Sequence, residues 1–287
     1  MTTNRGHSAL TTSTSEMVKR LQAAQLLAAW SVAGSGMASL LARSSLISLL
    51  AGIALLHGQS SPIATDRPAI TNSSVVVPSG NLQVENGLQT TSASGERTFD
   101  GPESLVVFGL TGATELRFTV PDYIHSDTGS GFDDLALGVK QQIGHTPSGF
   151  DVSLIAFLSF PSGAKAVSSH GYDPGLQLPW SQKVSANWTA AGMLSLYWPT
   201  ASGARNLTGE STFLFDRQLT GPWDAFVEYA GDFPERGGPR HLLHFGTAWK
   251  LGPFQQLDLH VGVGLSRAAV DHFIGVGYSF RFQARPK

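Results

Sequence analysis

From Gln255 to Phe282, apolar and polar residues alternate with a period of two. Leu257, Leu259, Val261, Val263 and Leu265 fall on one face, and Asp258, His260, Gly262, Gly264 and Ser266 on the other. After a short break, Ile274, Val276, Tyr278, Phe280 and Phe282 share a face, against Gly275, Gly277, Ser279 and Arg281. This period predicts two strands. The exposed face of a soluble sandwich is usually rich in Lys, Glu and Thr. Here the polar face is mostly Gly and small residues with single charges, and the apolar face ends in aromatics. That combination predicts a transmembrane β-barrel, with lipid outside, a crowded polar lumen inside and aromatic girdles at the interfaces.

The same alternation recurs upstream. Leu82, Val84 and Leu88 oppose Gln83, Glu85, Gly87 and Gln89; Leu116, Phe118 and Val120 oppose Glu115, Arg117 and Thr119; Leu135, Leu137 and Val139 oppose Asp134, Gly138 and Lys140. Further strands are expected over 103–110, 150–160, 176–189, 193–198, 206–219, 223–229 and 240–250. Loops are expected over 121–131 and 161–175, and a turn at Ala190-Ala191-Gly192. The total is about twelve strands of about ten residues, with short connections alternating with longer ones, as up-and-down outer-membrane barrels require. The fold class expected is all-β, an antiparallel barrel over residues 82–282. Two stretches fit poorly. Leu105-Val106-Val107-Phe108 is apolar on both faces, and the register of 206–219 turns Leu214 inward and Arg217 outward.

The ends of the chain differ. Residues 1–60 hold a polar Ser/Thr-rich lead and two apolar stretches; the second follows Arg43 and ends at His57-Gly58-Gln59-Ser60. A basic residue, an apolar run and small residues at −3 and −1 predict an export signal removed after Ser60, with Met1, Met17 or Met37 as the start. Residues 61–81 carry prolines and no alternation, which predicts an extended periplasmic lead. Residues 283–287 form a short tail.

Composition narrows the chemistry. The 287 residues include 32 Gly and no Cys, and the net charge is −2. Without Cys there is no disulfide or thiolate chemistry, and without a basic patch there is no footprint for nucleic acid. His241 and His244, three apart on a strand, fall on opposite faces and make a poor metal pair. Asp127, Asp133 and Asp134 flank a Gly-rich loop but do not match an EF-hand. Gly262-Val263-Gly264 has no helix after it and is not a dinucleotide fingerprint. No catalytic constellation, cofactor site or metal site is predicted, and the chain reads as a non-enzyme.

The inward face is more informative. By register, Glu85, Glu115, Arg117, Asp134, Lys140, Lys183, Asp224, Glu228, Lys250, Asp258, His260 and Arg281 line the lumen. A charge facing lipid would cost about 2–4 kcal/mol near the midplane, which enforces this placement. These residues form either a polar solute path or an ion-paired network that plugs the barrel. Their mixed signs argue against strong ion selectivity. Phe157 and Phe226 also fall inward, which suits an apolar or aromatic solute.

Several motifs resemble one family. Thr65-Asp66-Arg67-Pro68, Val77-Pro78-Ser79-Gly80-Asn81-Leu82-Gln83-Val84-Glu85-Asn86-Gly87, Phe108-Gly109-Leu110-Thr111, Gly131-Phe132-Asp133-Asp134-Leu135 and Phe160-Pro161-Ser162-Gly163 resemble, in that order, the outer-membrane proteins called "putative MetA-pathway of phenol degradation", also labelled transporters. Asp271 to Arg281 is similar to that family's closing strand. Val107 departs from the pattern, where an Arg is expected, and the chain runs past Phe282 to Lys287. The resemblance implies an outer-membrane barrel of a Gram-negative-type bacterium, inserted by the barrel assembly machinery. Its partners would be the lipid bilayer and a small organic solute that passes or binds passively. A non-conducting structural or adhesion barrel is the alternative.

Overall fold

The computed structural model of the protein describes residues 61–283. The expected signal over 1–60 and residues 284–287 of the tail lie outside the described residues. The strands are β1 (Asn81–Ala93), β2 (Glu96–Gly101), β3 (Leu105–Gly109), β4 (Thr114–Thr119), β5 (Tyr123–Ser126), β6 (Gly129–Phe132), β7 (Leu135–His145), β8 (Phe150–Phe160) and β9 (Asp173–Lys183). They continue with β10 (Trp188–Tyr197), β11 (Thr200–Ala201), β12 (Ala204–Arg205), β13 (Thr208–Gln218), β14 (Trp223–Pro234), β15 (Arg240–Gly252), β16 (Gln255–Gly264) and β17 (His272–Gln283).

All but the small β11–β12 hairpin belong to one antiparallel sheet, and β17 pairs with β1 from Gln283↔Asn81 to His272↔Ser92. The sheet is therefore closed into a barrel at the β1–β17 seam, and β6 alone ends it with a ladder partner, β5, on one side only. It has twelve staves, because β2–β3, β4–β5 and β6–β7 are each one stave broken in two. Outward positions are apolar: Leu257, Leu259, Val261 and Val263 of β16 are exposed, while Gln256, Asp258, His260 and Gly262 between them are buried. An apolar exterior around a polar interior is stable only with lipid outside.

The stave breaks follow from sequence. Pro102 and Pro121 cannot donate to a ladder, and the third break falls at Asp133-Asp134. The first break aims Glu103 into the lumen while its N–H still reaches Gly87 O at 2.9 Å. At the third, Asp134 accepts hydrogen bonds from Gly163 N, Ser169 N and Ser169 Oγ at 2.8, 2.9 and 3.0 Å. Expected at the lumen wall, it ties down the loop 161–172.

Three local expectations change. Residues 96–101, expected in a loop, form β2. Within 121–131, expected as a long loop, lie β5, β6 and a two-residue turn, so the rim of longer loops also carries two tight hairpins, at 94–95 and 127–128. The turn expected at Ala190-Ala191-Gly192 sits instead at 184–187, where Val184 N and Ser185 N both reach Trp188 O. The small residues serve packing: a side chain on Gly192 would press on the Trp180 ring, and Trp180 is its direct partner across β9–β10. In β13, Leu214 is buried and Arg217 points outward over the Trp188 ring at 5.2 Å, as the register of 206–219 has it.

Candidate functional site

The barrel is not hollow. Residues 61–80 enter at the short-turn rim, where Ile63 N donates to Pro253 O at 2.7 Å and Arg281 Nη1 donates to Ser61 O at 3.0 Å. They turn inside the barrel and return to the same rim, where Gly80 N reaches Gly109 O at 2.8 Å. The expected external lead is thus an internal segment. Having no ladder partner, it must satisfy its backbone donors some other way.

Three inward glutamates accept those donors. Glu85 Oε2 takes Asp66 N and Arg67 N, both at 3.0 Å. Glu228 takes Ile70 N at 2.8 Å, Thr71 N at 2.7 Å and the Thr71 hydroxyl at 2.6 Å. Glu115 Oε2 takes Val77 N at 2.6 Å. These carboxylates are 1, 0 and 1 % exposed for Glu85, Glu228 and Glu115, so their charge depends on such bonds for solvation.

Side chains complete the attachment. Asp66 pairs with Arg117, lies 3.3 Å from Lys140 Nζ and accepts Ser73 N at 2.8 Å. Burial alone would raise the Asp66 carboxyl, but Arg117 and Lys140 outweigh it and hold it at about 2. Arg67 pairs with Glu103, lies 3.2 Å from Asp258 Oδ1 and reaches His260 Nε2 at 3.4 Å. Beyond them Asn72 donates to Gln177 at 2.9 Å, the Thr71 and Thr212 hydroxyls lie 2.6 Å apart, and Ser153 donates to Ser74 O at 2.5 Å. Val77 packs on Leu105 and Val107, which explains why β3 is apolar on both faces: lipid covers one and the segment covers the other.

Of the residues expected to line the lumen, Glu85, Glu115, Arg117, Lys140, Glu228, Asp258 and His260 converge on this segment or on residues bound to it. Arg281 bonds Gln83 at 2.8 Å beside the entry point. Asp224 and Lys250 form a half-buried pair at 2.6 Å, away from the segment. Lys183 ends β9 and is exposed at its turn, because the register that aims it inward runs out at the rim. Phe157 and Phe226 do face inward, against Tyr197 and His244 at ring separations of 5.9 and 5.1 Å. Sequence reading missed Asp66, Arg67, Thr71, Glu103 and His244. The available signal was the charged pair Asp66-Arg67 inside a proline-bounded stretch, facing a lumen of mixed charge.

The family model described as "Putative MetA-pathway of phenol degradation" matches residues 65–282. The chain belongs to that family. The match begins at Thr65, so this phenol-degradation family model spans the internal segment as well as the barrel. Among solved structures, an outer membrane channel from Pseudomonas putida F1 is similar at 13 % identity and a TM-score of 0.57, over 73 % of this chain and 98 % of that one. The NanC porin is similar at 12 % identity and a TM-score of 0.51, over 69 % and 98 %. The KdgM porin is similar at 11 % identity and a TM-score of 0.50, over 69 % and 98 %. At these identities the likeness is one of fold. No curated protein sequence matches the chain.

Proposed function

We propose that the protein is an outer-membrane channel for small organic solutes, aromatic ones included, closed at rest by its own N-terminal segment. The observation that carries this reading is how the lumen is filled. Small barrels are filled by the side chains of their own walls. Here the wall recedes: a side chain on Gly87 or Gly277 would collide with Arg67 of the segment. The wall thus encloses a bore, and a separate stretch of chain occupies it through hydrogen bonds and ion pairs that water can replace one by one.

The apolar exterior supports an outer-membrane location, with the short-turn rim on the periplasmic side. Cleavage after Ser60 would leave the new N-terminus beside Arg281. Inward aromatics and the family's description support aromatic solutes, and the mixed lumen charge supports weak ion selectivity. The buried ion pairs favour a second reading, a permanently plugged structural barrel. Conductance in planar bilayers separates them. Protein purified from outer membranes should give rare openings, and Arg67→Ala frequent ones that small phenols or benzoates interrupt. Silence from both folded proteins would select the plugged barrel.

A further inference from the structure

Behind Arg67 three wall residues form a hydrogen-bonded row. Glu228 Oε2 lies 2.7 Å from His244 Nδ1, and His244 Nε2 lies 3.0 Å from His260 Nδ1. His260 Nε2 lies 3.4 Å from Arg67 Nη2. All four residues are buried. A guanidinium only donates, so His260 Nε2 must accept and bear no proton. The His260 proton then sits on Nδ1 and is donated to His244 Nε2. His244 in turn carries its proton on Nδ1 and donates it to Glu228. One arrangement satisfies these three contacts, and in it both imidazoles are neutral.

We infer that the Glu228–His244–His260 row is a proton-sensitive latch on the N-terminal segment. A proton added to either ring has no place in this row. On His260 it sets an N–H against the Arg67 N–H. On His244 it sets two N–H groups face to face, unless His260 passes its own proton toward Arg67. Each outcome replaces a hydrogen bond with a donor–donor contact and places a second cation near Arg67. The charged groups around the row decide whether the proton enters. Arg67 comes from the segment, Glu103 from the β2–β3 link, Glu228 from β14 and Asp258 from β16, while Glu85 of β1 binds the Arg67 N–H. The rings of Phe226 and Phe273 pack on the histidines, and β17 faces His260 with Gly275, where a side chain would collide with the imidazole. Arg67 and these carboxylates enclose the row, which cannot hold an added proton without moving Arg67. Glu228 also binds the Ile70 and Thr71 amides, which couples the row to the deepest part of the segment.

The inference rests on the reading that the segment can leave its seat, and its test does not require current. Amide exchange at Ile70 and Thr71 is compared at about pH 7.5 and about pH 5, the range in which histidine titrates. Rates are corrected for the intrinsic pH dependence of exchange. Protection in the wild type should fall about tenfold on acidification. His260→Gln and His244→Gln, each checked for folding by heat-modifiable gel shift, should show protection that does not change with pH. Wild-type protection that stays constant, or falls equally in both variants, overturns the latch. A protein that loses protection yet never conducts would leave the latch standing and count against the channel.

Discussion

Gly87 of β1 and Gly277 of β17 are direct partners across the seam that closes the barrel, and together they form the slot that receives the Arg67 guanidinium. The closure of the sheet and the seating of the segment are therefore fixed at the same place. A Cβ on either glycine would meet Arg67, and on Gly277 also the Asp258 carboxylate.

Gly277→Ala should unseat Arg67 without breaking the barrel. Overpacking of this kind costs about 1–3 kcal/mol, and that cost falls on the segment, which can move, more than on the ladder, which cannot. The expected result is a small loss in the unfolding temperature by heat-modifiable gel shift and a larger loss of amide protection over residues 66–72. Unchanged protection would mean that the slot does not constrain Arg67.

Asp66→Asn leaves Arg117 and Lys140 facing each other across a buried site with Glu115 as their remaining charged partner. Removing one member of a buried charge network costs about 3–5 kcal/mol. The double variant Asp66→Asn/Lys140→Met should lose less than the sum of its parts, because the uncompensated cation is gone. Denaturant titration of the four-member cycle measures the coupling. Strict additivity would contradict it.

Leu259→Arg places a charge on the lipid face at mid-strand of β16, where Leu259 is exposed. In a bilayer this should cost about 2–4 kcal/mol. In a soluble barrel it would be nearly neutral. Folding into vesicles of phosphatidylcholine, followed by urea titration, distinguishes the two.

Asp134→Ala removes all three bonds that hold the loop 161–172 at Gly163 and Ser169. Trypsin should then cut faster after the exposed Lys165, while protection over 66–72 stays as in the wild type. A matching loss in the segment would show that loop and segment are coupled.

The barrel could be read from the sequence because each strand has a solvent on only one side. Lipid demands Leu257, Leu259, Val261 and Val263 at every second position, and that period survives in a single sequence. The segment could not be read in the same way. Residues 61–80 touch walls on several sides, so no period marks a face, and their partners lie far away in the chain: Asp66 with Arg117, Arg67 with Asp258, Thr71 with Glu228. The alternation aims charges of β1, β4, β7 and β14 away from lipid, but the stretch of chain they bind carries no mark of it. Leu105 and Val107 gave a trace, since apolar residues facing a polar lumen require a cover, and Val77 is that cover. His244 carries no mark in the sequence either, because His241, three residues before it, falls on the opposite face. Its partners Glu228 and His260 lie on the adjacent strands β14 and β16.

The claim that the segment is the gate is tested most directly by fastening it. The Thr71 and Thr212 hydroxyls lie 2.6 Å apart, and the chain has no cysteine of its own. In Thr71→Cys/Thr212→Cys, side chains this close can form a disulfide. Single-channel recording should then find the oxidised protein silent and the reduced protein opening again. Equal current through the oxidised and reduced barrels would contradict the account.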